Sequence, residues 1–180
     1  LLFARGNGTA VITVTAQGIT AATPVKVGAA DGRLMQFFPL SHAMQPDGET
    51  RQFVVRTRSG NEILDISSAA AGSRYYVSDA TLGTMTDDGL LTSGGVAGTV
   101  YVTMINGGRS AVVPVVIAAA SAGETTVGAG GGVVTDGNGI VVGIPQGAIP
   151  DGTVVEVTAV AAGAIPYSAP SGWEVFGGFD

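Results

Sequence analysis

The sequence predicts an all-β fold, a series of tandem β-sandwich domains whose first and last members are incomplete. Three observations predict it. Part of the chain repeats itself at an offset of 90 residues. Short segments with period-2 alternation recur between turn residues, as strands do. No stretch of ten or more residues carries the 3.6-residue period of an amphipathic helix.

The repeat places the first element. At an offset of 90, Gly8 falls on Gly98, Thr9 on Thr99, Thr13 on Thr103 and Gly18 on Gly108. Ala21 then falls on Ala111, Pro24 on Pro114 and Val25 on Val115, with no gap over 27 residues. Apolar residues face apolar ones between these identities: Ile12 with Val102, Val14 with Met104, Val27 with Ile117. Each copy reads as strand, turn, strand, with Pro24 and Pro114 at positions that donate nothing to a ladder. A spacing of about 90 matches one immunoglobulin-like domain of ~100 residues. Residues 1–28 are therefore expected to be the C-terminal hairpin of a preceding Ig-like domain, and 29–119 a complete one.

The expected strands of this complete domain are Leu34–Phe38, Thr50–Thr57, Ile63–Ile66, Tyr75–Val77, Gly83–Met85, Leu90–Thr92, Thr99–Met104 and Ala111–Ile117. Turn residues separate them, among them Pro46-Asp47-Gly48, Ser59-Gly60-Asn61, Asp87-Asp88-Gly89 and Asn106-Gly107-Gly108. The small, polar stretch 120–126 reads as a linker. Residues 127–180 read as the N-terminal part of a further β domain, with Thr153–Val160 as one of its strands.

Composition bounds the function. Eight scattered Lys and Arg against a net charge of −6 give no basic surface for phosphates, so nucleic acid is not an expected partner. Cysteine is absent, which excludes disulfides, thiolate metal sites and Cys nucleophiles. No apolar run reaches the ~18 residues of a membrane-spanning helix.

No enzyme is predicted, and no catalytic, cofactor-binding or metal residues are assigned. His42 is the single histidine, expected on a loop before Pro46, and no Gly-x-Ser-x-Gly elbow accompanies it. A zinc site needs several His or Cys ligands. Gly128-Ala129-Gly130-Gly131-Gly132 lacks the Lys-Ser/Thr of a phosphate loop. Structural calcium is the one cation left open, through Asp87 and Asp88 or Asp136 and Asn138, although no local sequence supplies six to eight oxygens. Tyr167, Trp173, Phe176 and Phe179 form an aromatic cluster read first as core and second as a carbohydrate surface.

The segment Tyr75-Tyr76-Val77-Ser78-Asp79, followed by Asp87-Asp88-Gly89-Leu90 and Gly98-Thr99-Val100-Tyr101-Val102-Thr103, resembles bacterial Ig-like domains of the group 2 and invasin/intimin kind. Tyr75 or Tyr76 stands where those modules usually have Trp. The resemblance spans roughly 34–118, and its tail recurs in 1–27. It implies tandem repeats on bacterial surface proteins, adhesins or phage fibres, usually serving as spacers. Gly130–Ile149, with Ile144-Pro145-Gln146-Gly147-Ala148, looks like the Ile-Pro-x-Gly-Ala module of some extracellular β domains. The function expected is a non-catalytic structural or adhesive segment of a large exported protein, acting as a spacer or stalk. Its partners would be neighbouring domains or copies of itself, with a host or polysaccharide ligand left open. Two alternatives stand beside it: a filament subunit that exchanges a strand or hairpin, and a carbohydrate-binding accessory module of a secreted enzyme.

Overall fold

The computed structural model describes residues 8–16, 19–27, 35–165, 171 and 177–179. It is an all-β protein; among the described residues the helical elements are the short 3₁₀ turns Ala69–Ala71 and Ala162–Ala164. The first two strands, β1 (Gly8–Ala16) and β2 (Ile19–Val27), pair antiparallel over their whole length.

The next part comprises β3 (Met35–Phe38), β4 (His42–Met44), β5 (Thr50–Gln52), β6 (Val54–Ser59), β7 (Glu62–Asp65), β8 (Arg74–Val77), β9 (Gly83–Met85), β10 (Leu90–Ser93), β11 (Gly98–Asn106) and β12 (Arg109–Ile117). One layer holds β3-β6-β7 and β5-β10-β9, with β5 and β6 separated by a single residue, Phe53. The other layer is β4-β12-β11-β8. The sequence alternation becomes the core directly. Val100, Val102 and Met104 of β11 and Val113, Val115 and Ile117 of β12 are buried, and they meet Phe53, Val55 and Leu91 of the facing layer. Tyr101 and Val112, at alternate positions, are exposed. Of the two tyrosines of β8, Tyr75 packs on this core and Tyr76 is exposed. The Tyr75 hydroxyl donates to the Ser67 carbonyl at 2.8 Å.

The 90-residue repeat holds at the level of hydrogen-bond register. Gly8 faces Val27 as Gly98 faces Ile117, Val11 faces Pro24 as Tyr101 faces Pro114, and Ala16 faces Ile19 as Asn106 faces Arg109. In the second copy the two-residue loop has positive φ at Gly107 (54°) and Gly108 (79°), the conformation that matches strand twist across a tight hairpin.

One expectation is corrected. The segment holding His42 is a strand rather than a loop. β4 pairs parallel with β12, Val115 opposite His42 and Ile117 opposite Met44. Of residues 120–126, read as a linker from composition, Ala120–Ala122 form β13 and Thr125 and Thr126 open β14 (Thr125–Val127), with Gly123 and Glu124 between them. β13 pairs parallel with β15 (Gly132–Thr135), and β15 pairs antiparallel with β16 (Val141–Ile144). β14 pairs with β17 (Thr153–Val155), and β18 (Ala159–Ala161) with β19 (Gly177–Phe179). Ladder bonds to neighbouring strands outweigh the weak strand propensity of Ala and Ser here. A second core of Val127, Val134, Ile144 and Val157 lies among these strands. The Pro145-Gln146-Gly147-Ala148 corner is a turn: the Ala148 amide donates to the Pro145 carbonyl, and Gly147 takes φ 71°.

Candidate functional site: the crevice between the two cores

The two cores meet across β4. On the outer face of the β4-β12 pair, Ala43 and Val116 are buried against Val133 of β15, with Ala118 and Ala120 packed beside them. The backbones approach closely. A Cβ added to Gly143 of β16 would lie 2.1 Å from the Ala43 carbonyl oxygen. No side chain fits in that space, so glycine at 143 is a condition of the contact. As a result β12 ends with both faces covered: Val115 and Ile117 point into the first core, and Val116 into the joint.

Beside this contact lies an open crevice of about 490 Å³. Its walls include His42, Gln45, Asp47 and Glu49 on one side and Val141 and Gly143 on the other. The loop carrying the acids is held to the end of β10. The Asp47 amide donates to the Gly94 carbonyl at 2.9 Å, and the Gly48 amide to the Ser93 hydroxyl at 3.2 Å. Glu49 closes the loop on itself, accepting from the Gln45 amide at 2.5 Å. Asp47 takes a positive φ of 67°, a conformation its short polar side chain tolerates better than most.

His42 Nε2 is buried and has no hydrogen-bond partner. Desolvation first, and the Arg51 guanidinium second, lower the pKa of His42 from 6.5 to about 4. The imidazole is therefore neutral at physiological pH. No Ser, Thr or Lys lines the crevice, so a nucleophile for His42 to activate is missing from its described walls.

The other residues singled out from sequence are spread over separate turns. Asp88 accepts from the Ala69 amide through Oδ1 at 2.9 Å, and its carbonyl accepts from Gln52 Nε2 at 2.8 Å. Asp136 Oδ1 accepts from the amides of Asn138 and Ile140, each at 2.9 Å. These backbone donors hold the Asp136 carboxyl below its ordinary pKa. Among the described residues, no group of three or more His, Asp or Glu is placed to hold a metal ion. Gly128–Gly132 forms a turn in which Gly131, at φ 78°, lies against the backbone of Ile144. Tyr167, Trp173 and Phe176 lie outside the described residues, as does the side chain of Phe179.

Sequence reasoning missed the joint. One signal for it was present: Val115-Val116-Ile117 breaks the polar-apolar alternation, as a strand covered on both faces does.

No family model matches the chain, and no curated protein matches it. Solved structures do. Domains 1–6 of the surface-layer protein SbsC align over 92% of this chain at 19% identity, with a TM-score of 0.39. The S-layer protein rSbsC(31–844) aligns over 87% at 17% identity, with a TM-score of 0.36. The chain spans 24% and 22% of those two chains. Among the described residues, no helix is long and apolar enough to cross a membrane.

Proposed function

We propose that the chain is a non-catalytic spacer segment of an exported surface or fibre protein, assembled from Ig-like units of the bacterial group 2 and invasin kind. The observation that carries this reading is the repeat. Two hairpins 90 residues apart share one register, pair for pair, as expected of a module used more than once. The joint supports it. A spacer must hold what lies on either side at a fixed relation, and a backbone-on-backbone contact at Ala43 and Gly143 leaves little room for rocking. The crevice, with a neutral His42 and no Ser, Thr or Lys on its described walls for it to activate, favours this role over acyl hydrolysis.

The test is backbone ¹⁵N relaxation of the whole chain at pH 7. A spacer requires the core around Val102 and the core around Val134 to tumble as one body. Independent tumbling would sink the reading. Sedimentation over a wide concentration range separates it from the filament alternative, which requires polymers that vanish when residues 1–27 are deleted.

A further inference from the structure

We propose that the joint between the two cores is an acid-sensitive hinge, closed around a neutral His42 and opened when the imidazole takes up a proton. Four observations place the switch. His42 sits on β4, the strand the second core packs against. Its Nε2 is buried without a partner, so an added proton would find no acceptor there. It lines the crevice together with Val141 and Gly143 of β16, so opening the joint would admit water to the ring. Its neighbour Ala43 has its backbone carbonyl against Gly143 of β16, so a shift of β4 to relieve His42 would be transmitted to the joint.

The charged surroundings do not rescue the protonated form. Arg51 on β5 opposes it. Asp47 and Glu49 line the same crevice, but Glu49 already accepts from the Gln45 amide. β12 presents Val115 opposite His42, and β16 presents Val141 and Gly143, none of which titrates. The sign follows from linkage. Burial first and Arg51 second lower the imidazole pKa from 6.5 to about 4; an open joint would relieve the burial but leave Arg51 in place, so the closed joint binds the proton less well. Closure is at full strength above pH 6.5 and weakens as pH falls towards 4, by less than the change of about 300-fold in the open-to-closed ratio that a full return to 6.5 would give.

The chain has one histidine, so its ring protons report this site alone in an NMR titration. The wild-type ring is expected to titrate near 4. Two variants that disturb the joint from opposite sides, Gly143→Val and Val116→Lys, are expected to move it towards 6.5 while methyl signals of the core around Met104 persist. A wild-type value near 6.5, or a low value retained in both variants, overturns the proposal. A second readout uses the absence of cysteine: spin labels at Ser59→Cys and Gln146→Cys measure the distance across the joint. With Gly143 kept, the distance distribution should broaden reversibly between pH 7 and 4, and His42→Gln should abolish that response. The same broadening with His42→Gln would assign it to another group and refute the hinge. Rigid tumbling at pH 7 is a separate result, so the spacer reading can stand or fall independently.

Discussion

Replacing Gly89 with alanine tests the core against the backbone in one step. Gly89 follows Asp87 and Asp88 and takes φ 87°. Its amide donates to the Thr86 carbonyl at 3.1 Å, and its carbonyl accepts from the Phe53 amide at 2.8 Å, tying the turn before β10 to the break between β5 and β6. A methyl group there meets two difficulties. The left-handed backbone costs an L-residue about 1–2 kcal/mol. The new Cβ would also lie 2.6 Å from Tyr75 Cζ and 2.9 Å from the Phe53 carbonyl oxygen. Overpacking of this kind adds about 1–3 kcal/mol. Gly89→Ala should therefore destabilise by about 2–5 kcal/mol in urea unfolding followed by circular dichroism. Gly48 is the control: its φ is 97°, but no atom lies within 4 Å of an added Cβ. Gly48→Ala should show the backbone part alone, about 1–2 kcal/mol. Equal losses in the two variants would refute the argument that Tyr75 and Phe53 fill the space over Gly89.

Two further predictions concern polar groups. Asn106 is buried, and its Nδ2 donates to the Ala71 carbonyl at 3.1 Å and to the Ser73 hydroxyl at 2.8 Å. Asn106→Ala should lower stability by about 1–3 kcal/mol, because the Ala71 carbonyl and the buried Ser73 hydroxyl each lose a donor; unchanged urea midpoints would contradict this. Asp136 is held below its ordinary pKa by backbone donors. Its contribution to the 136–140 turn is present above the unperturbed carboxylate range and is lost as pH falls through the lowered value. Protection of the Asn138 and Ile140 amides, taken relative to the intrinsic exchange rate at each pH, should fall over that window and stay level in Asp136→Asn.

Much of the first core was legible because it rests on local alternation. Val100, Val102 and Met104 sit at every second position, and the pattern alone separates them from exposed Tyr101. Turn glycines such as Gly107 and Gly108 were equally readable, since few other residues tolerate their φ. β4 was not legible. His42-Ala43-Met44 is too short for a period to show and stands between Pro39 and Pro46. Its partner strand is Val115–Ile117, far along the chain. Ala120-Ser121-Ala122 read as a linker because composition was the only local signal, while its strand state is set by Val133–Thr135. The candidate site suffered most. Gly143 reads as a weak strand position until the Ala43 carbonyl is placed against it, and His42 reads as solvated until β4 is paired with β12 and its Nε2 is buried.

The parallel pairing of β4 with β12 has a mechanical consequence. Within the part that runs from β3 to β12, β4 lies near the start and β12 at the end. A pull applied along the chain from either side drags the two strands past each other lengthwise. The bonds joining His42–Met44 to Val115–Ile117 are then loaded together rather than peeled one after another. Pulled at constant speed, this part should yield in a single high-force event. His42→Pro, which removes an amide from the edge of β4 that faces β12, the edge whose Met44 carbonyl accepts from Ala118, should turn that event into a gradual, low-force extension.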